Sequence, residues 1–212
     1  MQVIDLSQEL APGMPVYPGS PSPQFHPAAT IKSDGYRETT VTLCTHHGTH
    51  LDAPAHLIAG GRTIDQLAPS SFIGEALVLD CTRMEKTTID VQDFQPSEKV
   101  IGSHDFILLY TGWSRFWGDP RYFAGYPVLS QAAAHWLAGT GLRGVGVDAV
   151  SVDPPAVSGL PVHRLLLEAG LVIVENLTNL AALPHHSFLF SCLPLSLKHG
   201  DGSPVRAVAL LP

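Results

Sequence analysis

Four histidines and an aspartate lie within eleven consecutive residues of this 212-residue chain: His46, His47, His50, Asp52 and His56. Imidazole nitrogens and carboxylate oxygens are donors that suit Zn²⁺, Mn²⁺ or Fe²⁺. The segment contains no cysteine, so it offers no thiolate ligand of the kind that structural zinc sites use. These residue types therefore predict a catalytic divalent metal site rather than a structural one.

The spacing of His46 and His50 would place both on one face of a helix, but their surroundings disfavour a helix. Gly48 and Pro54 are poor helix formers. The preceding run, YRETTVTLCT at 36–45, has the Thr/Val content and near alternation of a strand with one buried face. We expect this strand to lead into a tight turn, in which Gly48 lets the backbone bend round an ion.

After that turn, an extended stretch would point side chains two residues apart to the same side. His50 and Asp52 have this spacing, and together with His46 they form the predicted ligand set. His47 is predicted to lie in a polar surface turn. His56 is predicted to be a ligand, a general base or a structural histidine.

Three later residues are candidates to complete the site. His163 lies in the first turn of a predicted helix, while Glu175 and Asp148 close the apolar runs LVIVE and VGVD. A carboxylate in such a place is costly unless it is paired or binds a metal. Strand ends are also where charged residues ordinarily resume, so both interpretations stay open for the two acids.

The elements around these residues indicate a mixed α/β fold and a single domain over 1–212. Ser130 is a helix cap before QAAAHWLAG, and Pro161 and Gly170 delimit a second helix, each helix leading into a strand. The proline-rich first thirty residues are predicted to be loop-rich, and 83–100 to be a surface excursion with a short helix. Short apolar runs predict buried strands at 76–79, 106–110, 145–147, 171–174 and 205–211.

Composition excludes several classes of function. Twelve Lys and Arg face nineteen Asp and Glu, which gives a net charge of −7, and no basic cluster offers a nucleic-acid surface. No apolar run approaches the roughly 18 to 20 residues of a membrane span, and the chain starts without a cationic leader. The sequence therefore predicts a cytoplasmic protein that binds neither nucleic acid nor membrane.

The segment 46–56 fits the pattern H-x-G-T-H-x-D-x-P-x-H at every fixed position. It resembles the signature of the cyclase-like metal-dependent hydrolases, which include bacterial kynurenine formamidase and isatin hydrolase. Further blocks also resemble that family: DLSQELAPGMPVYPG, YTGWSRFW, GVDAVSVDPP, HRLLLEAGLVIVENLTNL and LPLSLKHGDGSPVRAVALL. The resemblance implies a compact β/β/α arrangement around a barrel-like sheet, and a homodimer or homotetramer.

The resemblance also implies a ligand set. His46, His50 and Asp52 would bind one divalent ion, Zn²⁺ or Mn²⁺. In two-metal members, the residues that match His56, His163 and Glu175 hold a second ion with Asp52. In one-metal members, the histidine that matches His56 transfers the proton. The sequence leaves both arrangements open.

The reaction expected from this ligand set is hydrolysis of a C–N amide bond in a small molecule, as in an arylformamidase. A bound ion lowers the pKa of its water and polarises the carbonyl. The chain has no G-x-S-x-G motif of the serine-dependent formamidases. The alternatives are ring opening of an isatin-like lactam or other cyclic substrate, a metal-dependent dehydratase or isomerase, and a non-catalytic metal-binding module.

One departure from the family pattern concerns the substrate. Tyr17 and Ser20 stand where kynurenine formamidases typically carry a tryptophan and an aspartate. We predict that Tyr17 binds substrate by stacking on an aryl ring, the alternative being an aromatic side chain packed in a proline-rich turn. Four further aromatic residues are candidate pocket walls: Phe25, Trp113, Phe116 and Trp117.

Overall fold

Most strands of the chain join one mixed sheet in the computed structural model, which describes residues 1–82, 87–155 and 157–212. The helices are α1 (Ile31–Asp34), α2 (Val91–Phe94), α3 (Glu98–Ile101), α4 (Gln131–Ala138) and α5 (Pro161–Glu168). The strands are β1 (Gln2–Asp5), β2 (Gln24–Ala29), β3 (Glu38–Thr42), β4 (His50–Asp52), β5 (Ile73–Asp80), β6 (Thr88–Ile89), β7 (Phe106–Tyr110), β8 (Val128–Leu129), β9 (Gly144–Val147), β10 (Val172–Glu175), β11 (Phe188–Ser191), β12 (Gly202–Pro204) and β13 (Val208–Leu211).

Within the described residues the main sheet has nine strands, in the order β1-β13-β11-β5-β7-β9-β10-β4-β12. Its centre, β5-β7-β9-β10, is parallel, and the flanking pairs are antiparallel. The sheet curls into a half-barrel. These observations confirm the mixed α/β class and the barrel-like sheet that the resemblance implies.

Both faces of the central strands are buried, which explains why they read as continuous apolar runs. In β7, Ile107 and Leu109 pack on the face covered by α4 and α5, whereas Phe106 and Leu108 enter the cluster on the opposite face. This alternation is the two-residue period of a strand. The sheet is therefore a rigid platform between two apolar clusters.

Local signals placed most of the regular elements correctly. β7 coincides with the predicted run 106–110, and β5, β9 and β10 include or overlap theirs. The Ser130 hydroxyl caps α4 by accepting from the amide of Ala133 at 3.0 Å. The run 205–211 holds only β13, with β12 lying before it. None of the helices in the described chain combines the length and apolar composition that crossing a bilayer needs.

The prediction of a buried face for the run 36–45 is wrong. Among the described residues its strand, β3, pairs only with β2, in a separate hairpin, and all five of its residues are exposed. Alternation reports the pleat of a strand and not whether anything covers it. In the predicted excursion 83–100 the structure contains β6, α2 and α3, while 83–86 lies outside the described residues.

Candidate metal centre

Strand β4 brings the distant parts of the site together through its two neighbours. On one side β10 places Glu175 opposite His50, and on the other side β12 places Gly202 opposite Asp52. Asp201, which precedes β12, is fixed by a hydrogen bond from the amide of Ala53 to its carbonyl (2.9 Å). Strand register therefore assembles residues that are more than a hundred positions apart in the chain.

The turn before β4 has the predicted tight bend at Gly48. Its φ is +63°, and a Cβ there would lie 2.5 Å from the side chain of Leu10. The positive φ favours glycine, whereas the close contact involves only the movable end of the Leu10 side chain. The turn returns His46 towards β4, so that its Nδ1 lies 2.7 Å from Oδ1 of Asp52.

Asp52 lies at the centre of the cluster and is 1 % exposed. His50 Nε2 is 3.4 Å from Asp52 Oδ1 and 3.5 Å from Glu175 Oε2. His163 Nε2 is 3.0 Å from Glu175 Oε1 and 3.6 Å from Asp52 Oδ2. Two triads share Asp52, His46-His50-Asp52 and Asp52-His163-Glu175, and a third, His46-His56-Asp201, shares His46 with the first; the donor atoms of each lie within 4.8 Å of one another.

The outer nitrogen of each of the two buried histidines is already engaged. His50 Nδ1–H donates to the carbonyl of Gly48 at 2.9 Å, and His163 Nδ1–H donates to Asp153 at 2.7 Å. Since these acceptors hold a proton on Nδ1, Nε2 of each ring is the atom that faces the centre, and loss of its proton gives the usual arrangement of a metal-binding histidine. The cluster therefore fits a divalent metal ion.

In His46 the two ring nitrogens have the opposite roles, since Nε2 contacts an outer carboxylate and Nδ1 faces the centre of the cluster. Its Nε2 lies 2.9 Å from Oδ2 of Asp201, while Nδ1 faces Asp52. The two outer carboxylates, Asp153 and Asp201, were not predicted from the sequence. They lie 10 and 155 positions from the histidines they bind, so no local motif joins the partners.

Asp153 is held at the start of α5, where it also accepts from the amides of Val162 (3.0 Å) and His163 (2.9 Å). We expect Asp153→Asn to weaken metal affinity by about 10- to 100-fold, because the neutral amide no longer orients and polarises His163. Competition with a chromophoric chelator measures this.

A matched control is Asp148→Asn. Asp148 is as fully buried as Asp153, but it accepts from the amides of Thr111 and Gly112, away from the cluster. We expect this variant to lose stability and keep its metal affinity. Equal metal affinity in the two variants would contradict the role of Asp153. The same contacts show that Asp148 does not join the site. Of the two interpretations that the sequence left open for Asp148, the metal ligand is therefore wrong.

The electrostatics of the cluster follow from burial and charge pairing. Burial opposes ionisation of Asp52, but hydrogen bonds from His163, His46 and His50 outweigh it and hold the pKa of this carboxyl well below its usual value. Burial likewise lowers the pKa of His50, yet the carboxylates of Asp52 and Glu175 raise it to about 10. A metal ion would thus have to displace protons from the imidazoles.

His56 lies at the edge of this cluster, in the turn Pro54–His56 that follows β4. Its ring centroid is 4.1 Å from that of His46 and 6.3 Å from that of His163, and its Nδ1 is 3.6 Å from Asp201. Burial is the main influence on its pKa, which is lowered. His56 groups with His46 and Asp201, and not with the triad of Asp52, His163 and Glu175.

A cavity of about 310 Å³ opens above the cluster. Tyr17 and Ser20 line it, as does Trp117 among the predicted aromatic walls. Phe25 instead lies in the β2–β3 hairpin, and Trp113 and Phe116 pack against the apolar cluster beside α4. Further lining residues that the sequence analysis did not single out are Tyr122, Phe123, Tyr126, Ser151 and Asn176.

The prediction that His47 lies in a surface turn is wrong. The residue is 3 % exposed, and its Nδ1 accepts from the amide of Cys44 at 3.2 Å. The ring therefore braces the turn from within. Nothing in its neighbours along the sequence distinguishes such a buried position from a polar surface one.

Comparison with known proteins agrees with this geometry. The model of the Cyclase family, described as "Putative cyclase", matches residues 4–154. The chain belongs to the cyclase family. A kynurenine formamidase of Salinibacter ruber is 32% identical over 98% of this chain and 97% of its own length.

Two solved structures of the family share the whole fold. An isatin hydrolase bound to the product analogue thioisatinate superposes with a TM-score of 0.90 at 26% identity, covering 100% of this chain and 92% of that one. A potential metal-dependent hydrolase with cyclase activity superposes with a TM-score of 0.82 at 29% identity, covering 100% of this chain and 99% of that one. The fold of this cyclase-family chain is thus found in metal-dependent hydrolases.

Proposed function

We propose that this cyclase-family chain is a metal-dependent hydrolase of the C–N bond in small aromatic amides, in the manner of an arylformamidase. The observation that carries the proposal is the convergence of three imidazoles and two carboxylates on the floor of an aromatic-walled cavity. The kynurenine formamidase and isatin hydrolase relatives support the same reaction class.

In this proposal His46, His50 and Asp52 hold one divalent ion, Zn²⁺ or Mn²⁺. Asp52, His163 and Glu175 form the second triad, where a second ion would bind. When bound, such an ion lowers the pKa of water towards neutrality and polarises the substrate carbonyl. Asp153 and Asp201 keep two of the histidines oriented through their outer nitrogens.

His56 is proposed to be the proton-transfer residue rather than a ligand. It lines the cavity and groups with His46 and Asp201, outside the two triads that share Asp52, so it stands beside those two ion sites rather than in them. Water adds to the formyl carbon, the C–N bond breaks, and an arylamine and formic acid leave, the acid then losing its proton to solvent as formate. His56 takes up the proton released from the water and delivers it to the leaving nitrogen.

The aromatic wall supplies orientation. Trp117, Phe123 and Tyr17 present ring surfaces along the cavity, which suit stacking on an aryl group and restrict the water around the amide. The volume of about 310 Å³ suits a small molecule as partner. A homodimer or homotetramer stays a prediction that light scattering of the purified protein would check.

The proposed activity is tested with protein loaded separately with Zn²⁺ and Mn²⁺ and with a chelator-treated sample. The substrates are formanilide and N-formyl-L-kynurenine, and the release of arylamine is followed. We expect release from at least one substrate that disappears with the chelator while circular dichroism shows an intact fold. No release from either substrate by folded, metal-loaded protein would contradict an arylformamidase.

Ring opening of a lactam is the second candidate. It is favoured by the TM-score of 0.90 to the isatin hydrolase that holds thioisatinate. Here the C–N bond lies within the ring, so water adds and a single amino-acid product results. Isatin added to the same metal-loaded samples separates the two candidates.

A further inference from the structure

The wall of the cavity differs from its floor in charge. The floor carries the carboxylates of Asp52 and Glu175, whereas the wall above it consists of aromatic, aliphatic and hydroxyl side chains together with the imidazole of His56 and the amide of Asn176. Among the described residues that line the cavity there is no lysine and no arginine. A ligand that fills the cavity would therefore meet no positively charged side chain above the floor.

The arginines closest in sequence to the aromatic wall are engaged on the surface. Arg121 binds Asp119 through Nε (3.0 Å) and NH2 (2.8 Å). Its guanidinium and that of Arg115 lie over the ring of Phe116, at 4.6 and 4.7 Å from the centroid. Neither arginine lines the cavity.

The polar groups of the wall are neutral, and several already have partners. The Tyr122 hydroxyl donates to Oδ1 of Asn176 at 2.8 Å, and the hydroxyl oxygen of Ser151 accepts from the amide of Asp153 at 3.1 Å. The hydroxyl of Ser20 adds a further neutral group. Such a wall solvates an aryl ketone or an amide but leaves an ionised carboxylate unpaired, which is costly.

From this charge distribution we infer that the substrate is an uncharged aryl amide, without the carboxylate and ammonium of an amino-acid head group. The inference rests on the proposed amide hydrolysis and names the substrate class within it. It separates simple aryl formamides and lactams from the zwitterionic N-formyl-L-kynurenine. An ammonium has no anion on the wall, and the acids of the floor are the proposed metal ligands.

The experiment compares two formamides that differ only in that head group. 2′-Formamidoacetophenone has the ring, ketone and formamide of N-formyl-L-kynurenine but lacks its CH(NH₃⁺)COO⁻ group. With the metal-loaded protein we expect kcat/KM for the neutral compound to be about tenfold or more above that for the zwitterion, mainly through KM. Equal values, or a preference for N-formyl-L-kynurenine, would overturn the inference.

Calorimetry with the two product amines keeps the test independent of turnover. We expect the metal-loaded protein to bind 2′-aminoacetophenone about tenfold or more tightly than L-kynurenine. If neither formamide is hydrolysed, the proposed function fails, but this comparison still decides the head-group inference. Binding of L-kynurenine that is equal or tighter, or no binding of either amine, overturns it.

A variant pair locates the effect on the wall. Ser20→Lys places a cation beside the cavity, and Ser20→Gln places a neutral side chain there as the control. We expect Ser20→Lys to reduce the preference for 2′-aminoacetophenone over L-kynurenine by about fivefold, through a charge-assisted contact with the carboxylate, and Ser20→Gln to leave it unchanged. An unchanged preference in both variants would mean that wall charge does not set the selection.

Discussion

Replacement of Asp52 by asparagine is expected to remove metal binding at both triads and to lower kcat/KM for amide hydrolysis by about a thousandfold or more. Asp52 is the residue the two triads share, and its oxygens face His46, His50 and His163. Loss of its charge removes the centre of the ligand set. Metal ions contribute several kcal/mol to such reactions, which corresponds to a factor of this size.

The measurement combines metal content by mass spectrometry with turnover of the best formamide. Asparagine keeps the shape of the buried side chain, so circular dichroism should show the native fold. Asp148→Asn is the control for loss of a buried carboxylate away from the cluster, and it should keep its metal. A full complement of metal in Asp52→Asn would refute the proposed ligand set.

The part of this site that could be predicted from sequence is the part whose geometry is local. His46, His50 and Asp52 fall within seven positions, and the glycine between them fixes the turn through its positive φ. Strand alternation then places His50 and Asp52 on one side of β4. The chemistry of a short segment follows from its own residues.

The outer carboxylates could not be predicted in this way. Asp201 reaches His46 because β12 pairs with β4, and Asp153 reaches His163 because its loop folds back onto the start of α5. Both contacts depend on tertiary structure and leave no periodic pattern in the sequence. Their only signals were the blocks GVDAVSVDPP and LKHGDGSPVRAVALL, which carry the resemblance without assigning a role to either acid.

The elements of the fold show the same difference between what local sequence predicts and what tertiary packing decides. Helices α4 and α5 were predictable because Ser130, Pro161 and Gly170 mark their ends through local backbone chemistry. Strand β3 was predicted with a buried face because its Thr/Val alternation matches a half-covered strand. What covers a strand is decided by other segments, and in the described part of the chain the strand partner of β3 is β2 alone. Pattern identifies the element, and packing decides its surroundings.

Replacement of His56 by alanine is expected to lower kcat by about 10² to 10⁴-fold, the usual effect of removing a general acid–base residue. We expect KM and metal content to stay unchanged, because His56 stands outside the triad of Asp52, His163 and Glu175. Exogenous imidazole should restore part of the activity, since the deleted ring leaves a space that opens on the cavity.

Metal content distinguishes the two roles that the sequence left open for His56. A proton-transfer residue can be removed without loss of metal, whereas a ligand of a second ion cannot. Loss of one metal equivalent in His56→Ala, with no rescue by imidazole, would therefore assign His56 as a ligand. The control is His186→Ala, an exposed histidine outside the cavity, which should keep its full activity. If kcat of His56→Ala equals that of this control, neither role holds, and the proton must pass through another group at the cavity floor, of which His163 is the nearest imidazole outside the first triad.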